Sequence, residues 1–330
     1  MKAVLCKAFG SPDTLAVEDV ASPVPGDSDV VVAVHACGVN LPDALVIAGK
    51  YQLKPPLPFS PGGEVAGVVT AAGPRVDRFR VGERVIALPL YGGYAEELLV
   101  PQDRLLKLPD GIDFAQGAAF AISFGTAHYA LRERARLAEA ETLLVLGAAG
   151  GSGLAAIALG KLMGARVIAA ASTREKLDLC IAHGADAVIN YVDDDLRARM
   201  SDLTDGRGVD VIFDPVGGEL AERAMRGMAW NGRFLVIGFA SGDITKAALN
   251  LPLLKGFSII GVSWGAFLQK EPARGAALVE ELMTWFRERK LTPHIEARLP
   301  LEQAGRALAH LVARQGKGKT VLIPAGRSST

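Results

Sequence analysis

Residues 142–153 read TLLVLGAAGGSG, and this stretch decides the fold. A run with buried-strand character, Thr142–Leu146, leads into a turn with four glycines, and a helix is predicted over Gly153–Met163. A strand, a glycine turn and a helix in this order are the context that a dinucleotide fingerprint requires. Backbone at Gly150 would approach the pyrophosphate, Gly153 would let the helix pack on the strand, and the helix N-terminus would face the phosphates.

The fingerprint is incomplete, because Ala148 occupies the first glycine position of G-x-G-x-x-G. A tight strand-to-helix turn in an unrelated α/β protein is therefore the alternative interpretation. The same region contains 18 consecutive uncharged residues, 143–160, a length that flags a membrane span. The five glycines among them favour a strand, a turn and a helix instead.

Strands and helices alternate beyond the glycine turn. The predicted strands are Arg166–Ala171, Ala187–Tyr191, Val209–Phe213 and Arg233–Ile237, and the predicted helices are Arg174–His183, Asp193–Leu203 and Glu219–Met228. Regular alternation of this kind indicates α/β architecture, with a doubly wound parallel sheet covered by helices on both faces.

The first third of the chain has a different character. Short strand-like runs begin at Asp29, Glu64, Gly82 and Ala95, and Gly/Pro clusters separate them, which is typical of a compact β-rich domain of the barrel type. The elements predicted after Lys255 are a strand, two helices and a closing strand, over Phe257–Val262, Arg274–Arg289, Leu301–Arg314 and Lys319–Ile323. We therefore expect the α/β block to be inserted into a domain built from both ends of the chain.

Composition excludes several classes of function. The 330 residues include 36 Lys+Arg and 36 Asp+Glu, so the strongly basic balance of a nucleic-acid-binding chain is absent, although a local basic patch stays open. Aromatic residues, at 6%, are few for base stacking. The three cysteines, Cys6, Cys37 and Cys180, form no CxxC pair, so neither a zinc ribbon nor a disulfide framework is supported. Free thiols and a short N-terminal apolar run predict a cytoplasmic protein without nucleic-acid or membrane partners.

The end of the second α/β strand bears on the choice of cofactor. About 20 residues past the glycines, an NAD-selective fold usually places an Asp or Glu that holds the ribose 2′-hydroxyl. This chain has Ser172 there, with Arg174 and Lys176 just beyond, and Tyr191 ends the next strand. These side chains could hold a 2′-phosphate, so the sequence favours NADPH over NADH. An ordinary solvated helix N-terminus, which Glu175 supports, is the alternative.

Several further motifs resemble those of one family. They are CGVNLPD at 37–43, PGGEVAG at 61–67, GGYAE at 92–96, GTAHY at 125–129, the glycine turn, DPVG at 214–217 and GKTVL at 318–322. Together they make the chain similar, over nearly its whole length, to the zeta-crystallin-like quinone oxidoreductases of the medium-chain dehydrogenase/reductase superfamily. The resemblance implies a GroES-like catalytic domain over 1–122 and 263–330, a Rossmann domain over 123–262, and a homodimer joined edge to edge through Phe257–Val262.

The same resemblance indicates what this chain lacks. Zinc alcohol dehydrogenases of the superfamily carry a ligand at the position of Asn40 and a histidine, within a Gly-His-Glu motif, at the position of Gly63. Residues 80–110 contain no cysteine, so the structural zinc lobe is missing too. A tetrahedral N/S zinc site cannot be assembled from these residues. We therefore expect no metal and an acceptor that is already electron-poor, because no Lewis acid would stabilise an alkoxide.

The resemblance implies three catalytic residues. Asn40 could donate to a carbonyl oxygen or a ribose, and Asp43 would orient the loop. Tyr51 matches a tyrosine that faces nicotinamide and substrate in relatives, so its phenol could hydrogen-bond an enolate or relay a proton through water; a packing aromatic is the alternative. Relatives often have another tyrosine where this chain has Leu45, so substrate contacts there should differ. The implied cofactor-binding residues are Asn40, Thr126, Ala149, Gly150, Gly151, Ser152, Gly153, Ser172, Arg174, Lys176, Tyr191, Val216, Gly238, Phe239, Ser263, Trp264 and Lys319.

These observations predict an NADPH-dependent oxidoreductase that transfers a hydride to a small-molecule quinone or an activated C=C bond without zinc. Two alternatives stay open at this point. One is a reductase of 2-alkenals, enones or acryloyl-type thioesters, and the other is a crystallin-like protein that binds NADPH with little turnover. In a quinone reductase and in an enone reductase alike, the cofactor carries the hydride and the protein positions the cofactor.

Overall fold

The first third of the chain forms an antiparallel sheet with two short helices. The structure, a computed structural model, describes residues 1–327. The first elements are β1 (Lys2–Leu5), β2 (Ala16–Asp19), β3 (Asp29–Gly38), α1 (Leu41–Ile47), β4 (Val65–Ala72), β5 (Arg84–Ala87), β6 (Glu97–Pro101), β7 (Leu105–Lys107) and α2 (Phe114–Gly117). Strand β3 pairs with β4 and β6, and β5 pairs with β4 and β7, all antiparallel. Strands β1 and β2 form a separate antiparallel pair.

The middle of the chain forms an α/β unit with a parallel sheet. Its elements are α3 (Ala121–His128), a π-helical segment (Tyr129–Ala135), β8 (Thr142–Leu146), α4 (Gly151–Leu162), β9 (Arg166–Ala171), α5 (Arg174–Ala182), β10 (Ala187–Asn190), α6 (Leu196–Asp202), β11 (Val209–Asp214), α7 (Gly218–Met225), β12 (Met228–Val236), α8 (Asn250–Lys255), β13 (Ser258–Gly261), α9 (Trp264–Lys270) and α10 (Pro272–Arg287). The six strands are parallel in the order β10-β9-β8-β11-β12-β13. This is the strand order of a Rossmann sheet, so the predicted fold is confirmed.

Burial on both faces explains the apolar runs that the sequence shows in this unit. Every residue of β8 is buried, as are the last five residues of β9, because helices cover a parallel sheet on both sides. The uncharged stretch 143–160 accordingly forms a strand, a turn and a helix, as predicted. Within residues 1–327 no helix has both the length and the apolar character needed to cross a membrane.

The chain end completes the first sheet. The closing elements are β14 (Ile295–Pro300), α11 (Ala304–Val312) and β15 (Lys319–Ile323). Strand β15 lies antiparallel to β3, and β14 lies parallel to β15, so the seven-stranded sheet combines strands from both ends of the chain. Residues Leu301–Gln303, predicted as the start of the last α-helix, form a separate 3₁₀ turn before α11.

Two compact units divide the chain. One comprises Met1–Ile122 and the chain from Thr292 onward, and the other is Ser123–Leu291. The sequence placed the return to the first unit at residue 263, and the structure places it at Thr292. Helices α9 and α10 stay with the Rossmann unit because Phe267 stacks on Tyr129, with ring centroids 4.2 Å apart, in a cluster that also holds Leu278.

Candidate functional site

The cofactor residues predicted within the Rossmann unit lie mostly at one edge of its sheet. The glycine turn follows β8, Ser172 follows β9, Tyr191 follows β10, Val216 follows β11, Gly238 and Phe239 follow β12, and Ser263 and Trp264 follow β13. Because the strands are parallel, their carboxyl ends share one edge, which we call the carboxyl edge. Ligands of open α/β sheets bind at this edge, where the strand order reverses, and here that point lies between β8 and β11.

The glycine turn offers backbone without side chains. Gly150 precedes α4, and a Cβ atom there would have one neighbour within 4 Å, the Gly147 carbonyl oxygen at 3.5 Å. A Cβ at Gly153 would instead lie 2.5 Å from the Ala148 carbonyl oxygen, so only glycine fits between helix and turn. The open surface at Gly150 and the unpaired N–H groups of the first turn of α4 fit a pyrophosphate.

The ends of β9 and β10 bring two predicted phosphate-binding residues close together. The Tyr191 N–H donates to the Ala171 carbonyl at 3.2 Å, one residue before Ser172. Arg174 is bonded within its own helix, since its Nε donates to Asp178 at 2.8 Å. Lys176 lies in the first turn of α5, where its N–H donates to the capping oxygen of Thr173 at 3.3 Å. The residues directly after β9, Ser172 and Thr173, include no carboxylate that would repel a 2′-phosphate.

The residues after β11 and β12 contact one another, and the residue after β13 meets α3. A Cβ at Gly147 would lie 2.8 Å from Val216 Cγ2, and one at Gly217 would lie 2.7 Å from Phe239 Cδ1. A Cβ at Gly125 would lie 2.7 Å from the Trp264 indole, so that ring rests on α3 beside Thr126. The structure therefore places Val216 beside the glycine turn and Phe239 beside the next residue, Gly217, and it places Trp264 against the helix that carries Thr126.

A second group of polar residues, in the other unit, forms one buried cluster. Its members, which we call the polar cluster, are Asn40, Asp43, Glu64, Tyr94 and Lys319, and each is at most 7% exposed. Asn40 lies just before α1, Glu64 precedes β4, and Lys319 begins β15. Sheet pairing brings them together, because β3 leads to Asn40 and pairs with both β4 and β15.

Lys319 and Glu64 form a buried ion pair that also holds Asn40. The Lys319 ammonium donates to Asn40 Oδ1 at 2.6 Å and to Glu64 Oε2 at 3.1 Å. Glu64 Oε2 further accepts from Asn40 Nδ2 at 3.1 Å, and Glu64 Oε1 accepts from the Ile122 N–H at 2.8 Å. The structure thus joins two predicted residues, Asn40 and Lys319, directly, and Glu64, which the sequence analysis did not assign to the site, bonds both of them.

Asp43 lies on the other side of Asn40. Its Oδ2 accepts from the Asn40 N–H at 2.8 Å and from the buried Tyr94 hydroxyl at 3.1 Å. Burial raises the pKa of Asp43 to about 6, although these donors and the charge of Lys319 lower it. Burial and the neighbouring Asp43 also raise the pKa of Tyr94 well above its ordinary value. Asp43 therefore bonds the backbone at the start of α1, and the pKa of its carboxyl lies above its ordinary range.

Tyr51, the third predicted catalytic residue, follows α1 and is half-buried. Burial, with the nearby charge of Asp43, raises the pKa of its phenol, which therefore stays protonated and able to donate at neutral pH. Its ring packs against the apolar core of the same unit, so a packing role exists beside any catalytic one.

These residues do not fit a zinc ion. Asn40 and Gly63 offer no anionic or imidazole ligand, and the Glu64 carboxylate is bonded to the Lys319 ammonium. Burial and the charges of Asp43 and Glu64 raise the pKa of the Cys37 thiol well above its ordinary value, which disfavours the thiolate. In the part of the chain that the structure describes, no three His, Cys, Asp or Glu side chains are grouped so as to hold a metal ion.

Sequence reasoning did not assign Glu64 and Tyr94 to the site, although both lie within quoted motifs. The sequence does contain an indication of the buried pair formed by Glu64 and Lys319. Glu64 stands directly before an apolar strand, and Lys319 is the first residue of another. Charged residues at such positions are rarely fully buried unless they are paired. Their pairing across 255 positions is what the sequence does not disclose.

Comparison with known proteins gives consistent matches. Residues 26–110 match the alcohol dehydrogenase GroES-like domain, and residues 151–281 match the zinc-binding dehydrogenase domain. The chain is 40% identical to the quinone oxidoreductase-like protein 2 homolog of Nematostella vectensis over 325 residues, which cover 97% of this chain and 88% of that one. It is 35% identical to the quinone oxidoreductase of Mus musculus, with 98% of each chain covered.

Two solved structures extend the comparison. The quinone oxidoreductase of Pseudomonas syringae pv. Tomato superposes with a TM-score of 0.91 at 33% identity, covering 98% of this chain and 99% of that one. The Escherichia coli quinone oxidoreductase, solved in complex with NADPH, gives a TM-score of 0.90 at 28% identity, covering 98% of this chain and all of the other.

Proposed function

The chain belongs to the quinone oxidoreductase branch of the medium-chain dehydrogenase/reductase superfamily, and from this premise we propose that it reduces quinones with NADPH and without a metal ion. The observation that carries the proposal is the position of the predicted cofactor residues at the carboxyl edge, with open backbone at Gly150. The NADPH complex of the Escherichia coli relative supports the choice of cofactor.

When bound, NADPH supplies the hydride, and the residues of the carboxyl edge would hold and orient it. The N–H groups at the start of α4 would face the pyrophosphate, and Ser172, Lys176 and Tyr191 would surround the 2′-phosphate. The absence of a carboxylate at the end of β9 supports NADPH over NADH.

The polar cluster and Tyr51 would act on the acceptor. A quinone that accepts a hydride develops negative charge on a conjugated oxygen, which hydrogen-bond donors stabilise. Asn40 and Tyr51 would supply those donors, and Asp43 would fix Asn40 through its backbone N–H. Because the acceptor is electron-poor before the hydride arrives, this mechanism needs no Lewis acid.

A panel of quinones and enones tests the proposed function. NADPH consumption, followed by absorbance, should be fastest with quinones. Preferential turnover of enones or acryloyl-type thioesters would move the assignment to that reductase class. NADPH binding without consumption of any acceptor would contradict an enzymatic function and favour the crystallin-like alternative.

Metal independence is the second part of the proposal, supported by the residues at positions 40 and 63. Turnover should survive prolonged dialysis against a strong chelator, and metal analysis of the purified protein should find no stoichiometric zinc. One tightly bound zinc per chain, or activity that chelation abolishes and zinc restores, would contradict it.

We also propose a homodimer formed along the edge strand β13. Among the described residues its outer side has no strand partner in the sheet, and Ile259 on it is 39% exposed. Beside it, Trp230, Leu253 and Leu254 are each at least 70% exposed, an apolar surface that a second copy would cover.

A charge at a sheet edge opposes pairing, so Ile259→Lys should convert the dimer to a monomer in light-scattering measurements. The control Ile181→Lys, on α5, should stay dimeric; a wild-type monomer would contradict the proposal.

A cytoplasmic location completes the proposal. Its support is that Cys6, Cys37 and Cys180 are buried and unbridged, which suits a reducing compartment. Fractionation of the source cells should recover the protein with cytoplasmic markers, and recovery with another compartment would contradict this location.

A further inference from the structure

We propose that Lys319 is a positioning residue for quinone reduction: held by Glu64, its ammonium fixes the Asn40 amide in one orientation and supplies the positive charge beside it. This inference rests on the proposed function and goes beyond it. It also changes the role of Lys319, which the sequence analysis placed among the cofactor-binding residues.

The chemistry of the two partners dictates how the Asn40 amide is turned. A lysine ammonium only donates hydrogen bonds, and an ionised glutamate only accepts them. Lys319 Nζ lies 2.6 Å from Asn40 Oδ1, and Glu64 Oε2 lies 3.1 Å from Asn40 Nδ2. A flipped amide would place N–H groups against the ammonium and its oxygen against the carboxylate. The amide is therefore locked, whereas a free asparagine presents either end to an acceptor.

The lock leaves one donor available. Of the two hydrogens on Asn40 Nδ2, one points to Glu64, and the other makes a long contact, 3.5 Å, with the Gly38 carbonyl oxygen. In the proposed reaction a quinone oxygen would replace that long contact. Donation from Lys319 to the amide oxygen polarises the amide and makes this remaining N–H a stronger donor.

The cluster depends on Lys319 for its charge balance. Glu64 is fully buried and Asp43 is 5% exposed, and Lys319 faces both carboxyl groups. Removing one partner of a buried ion pair leaves an uncompensated charge, which is strongly destabilising.

A double-mutant cycle on kcat tests whether Lys319 acts through Asn40. With NADPH and a quinone, Lys319→Met should lower kcat by about 10- to 100-fold and leave the KM for NADPH nearly unchanged. In the Asn40→Ala background the same substitution should change kcat by less than about twofold. Equal losses in both backgrounds would overturn the inference, as would a rise in the KM for NADPH alone, which would return Lys319 to the cofactor site.

Two further variants separate positioning from loss of folding. Glu64→Gln/Lys319→Met removes both buried charges together, so it should fold and still show the reduced kcat. The reason is that the introduced glutamine both donates and accepts hydrogen bonds, so it does not prevent the Asn40 amide from flipping. Wild-type kcat in this variant would overturn the inference. The matched control is Lys107→Met, which removes a lysine that is 69% exposed and pairs with Glu83, and it should keep the wild-type rate.

An NMR measurement tests the orientation without relying on turnover. The side-chain amide signals of Asn40, identified by their loss in Asn40→Ala, should be protected from solvent exchange in the wild type and exchange faster in Glu64→Gln/Lys319→Met. An exchange rate in this variant equal to that of the wild type would contradict a fixed Asn40 amide. If the wild-type protein reduces no quinone, the proposed function fails, and the exchange measurement still decides whether the Glu64–Lys319 pair holds the Asn40 amide.

Discussion

The carboxyl edge of the Rossmann unit and the polar cluster of the other unit are built in opposite ways. The edge combines the open backbone of the glycine turn with side chains that each stand within a few positions of a strand end. The cluster presents side chains, and residues from 40 to 319 meet in it. The residues proposed to bind the cofactor are therefore placed by local geometry, whereas the groups proposed to act on the acceptor are placed by contacts between distant parts of the chain.

The two regions should also differ in what a substitution costs. Gly150 contributes only backbone hydrogen bonds to the fold, with Gly147 and Leu154, and a side chain there would leave both in place, so changing it should affect the ligand far more than folding. Glu64 accepts three hydrogen bonds in a fully buried position, so changing it should affect folding and rate together. Separating binding from stability is therefore the way to test the comparison.

The largest effect is expected at the glycine turn. Gly150→Val places a branched side chain where the pyrophosphate would lie, and we expect NADPH affinity to fall by about 100-fold or more, or at least about 2.7 kcal/mol. The melting temperature should stay close to the wild-type value, because a Cβ at Gly150 meets only the Gly147 oxygen, at 3.5 Å. Titration of NADPH and thermal unfolding measure the two quantities.

Gly153→Ala is the matched control for Gly150→Val. Its Cβ would lie 2.5 Å from the Ala148 carbonyl oxygen, so this variant should lose thermal stability. Unchanged NADPH affinity in Gly150→Val would show that the turn serves folding only. A melting temperature for Gly150→Val as low as that of Gly153→Ala would contradict the expected difference between the two glycines.

Tyr51→Phe should have the next largest effect. If the phenol donates to the developing oxyanion, its loss should lower kcat and kcat/KM together by about 10- to 100-fold, less than in the most demanding oxyanion sites because quinones are intrinsically reactive. Steady-state kinetics with one quinone measures both parameters. A rise in KM at constant kcat would reduce Tyr51 to a binding residue.

An aspartate in the Rossmann unit predicts a pH effect on stability. Burial raises the pKa of Asp214 to about 6, although the N–H groups of Val216 and Gly217 donate to its Oδ1. A raised carboxyl pKa favours the protonated folded state, so this contribution to stability is complete below about pH 4 and is lost as the pH rises through about 6. Asp214→Asn keeps an acceptor oxygen and removes the charge.

The stability of Asp214→Asn relative to the wild type should therefore improve between about pH 4 and about pH 7.5, by on the order of 2 kcal/mol. Denaturant unfolding at both pH values measures the difference. A gap between the two proteins that stays constant with pH would contradict the assignment.

The smallest effect is expected at the 2′-phosphate. Lys176→Ala should shrink the preference for NADPH over NADH by about tenfold, mainly through the KM for NADPH, because one charge-assisted contact is lost. Higher ionic strength should weaken NADPH binding more than NADH binding. The control Lys161→Ala, on α4, breaks an ion pair with Asp186 and should keep the wild-type preference. Equal kcat/KM for both cofactors in the wild type would contradict this role for Ser172 and Lys176.

The contrast between the two regions also explains what the sequence could predict. Strand β8, the glycine turn and α4 are consecutive in the chain, so their sequence pattern alone predicts a strand, a turn and a helix. The residues that follow β9 to β13 could be assigned to one site once a parallel sheet was inferred, because parallel strands share a carboxyl edge. Asn40 and Lys319 were identified by resemblance, but their bond was not, since 279 positions separate them and the pairing of β3 with β15 brings them together.

The domain boundary shows the same limit. The sequence placed the return to the first unit at residue 263, where the α/β alternation loosens. Helices α9 and α10 remain with the Rossmann unit through packing of Phe267 on Tyr129, a contact between residues far apart in the chain. Periodicity predicts the two helices but does not show which unit they pack on.

Single-turnover oxidation of NADPH by a quinone, in wild-type protein treated with a strong chelator, tests the central claim most directly. The account predicts that the NADPH absorbance decays at the same rate before and after chelation, and that NADH decays more slowly under the same conditions. NADPH that binds but is not oxidised, or oxidation that stops on chelation and returns with zinc, would contradict it.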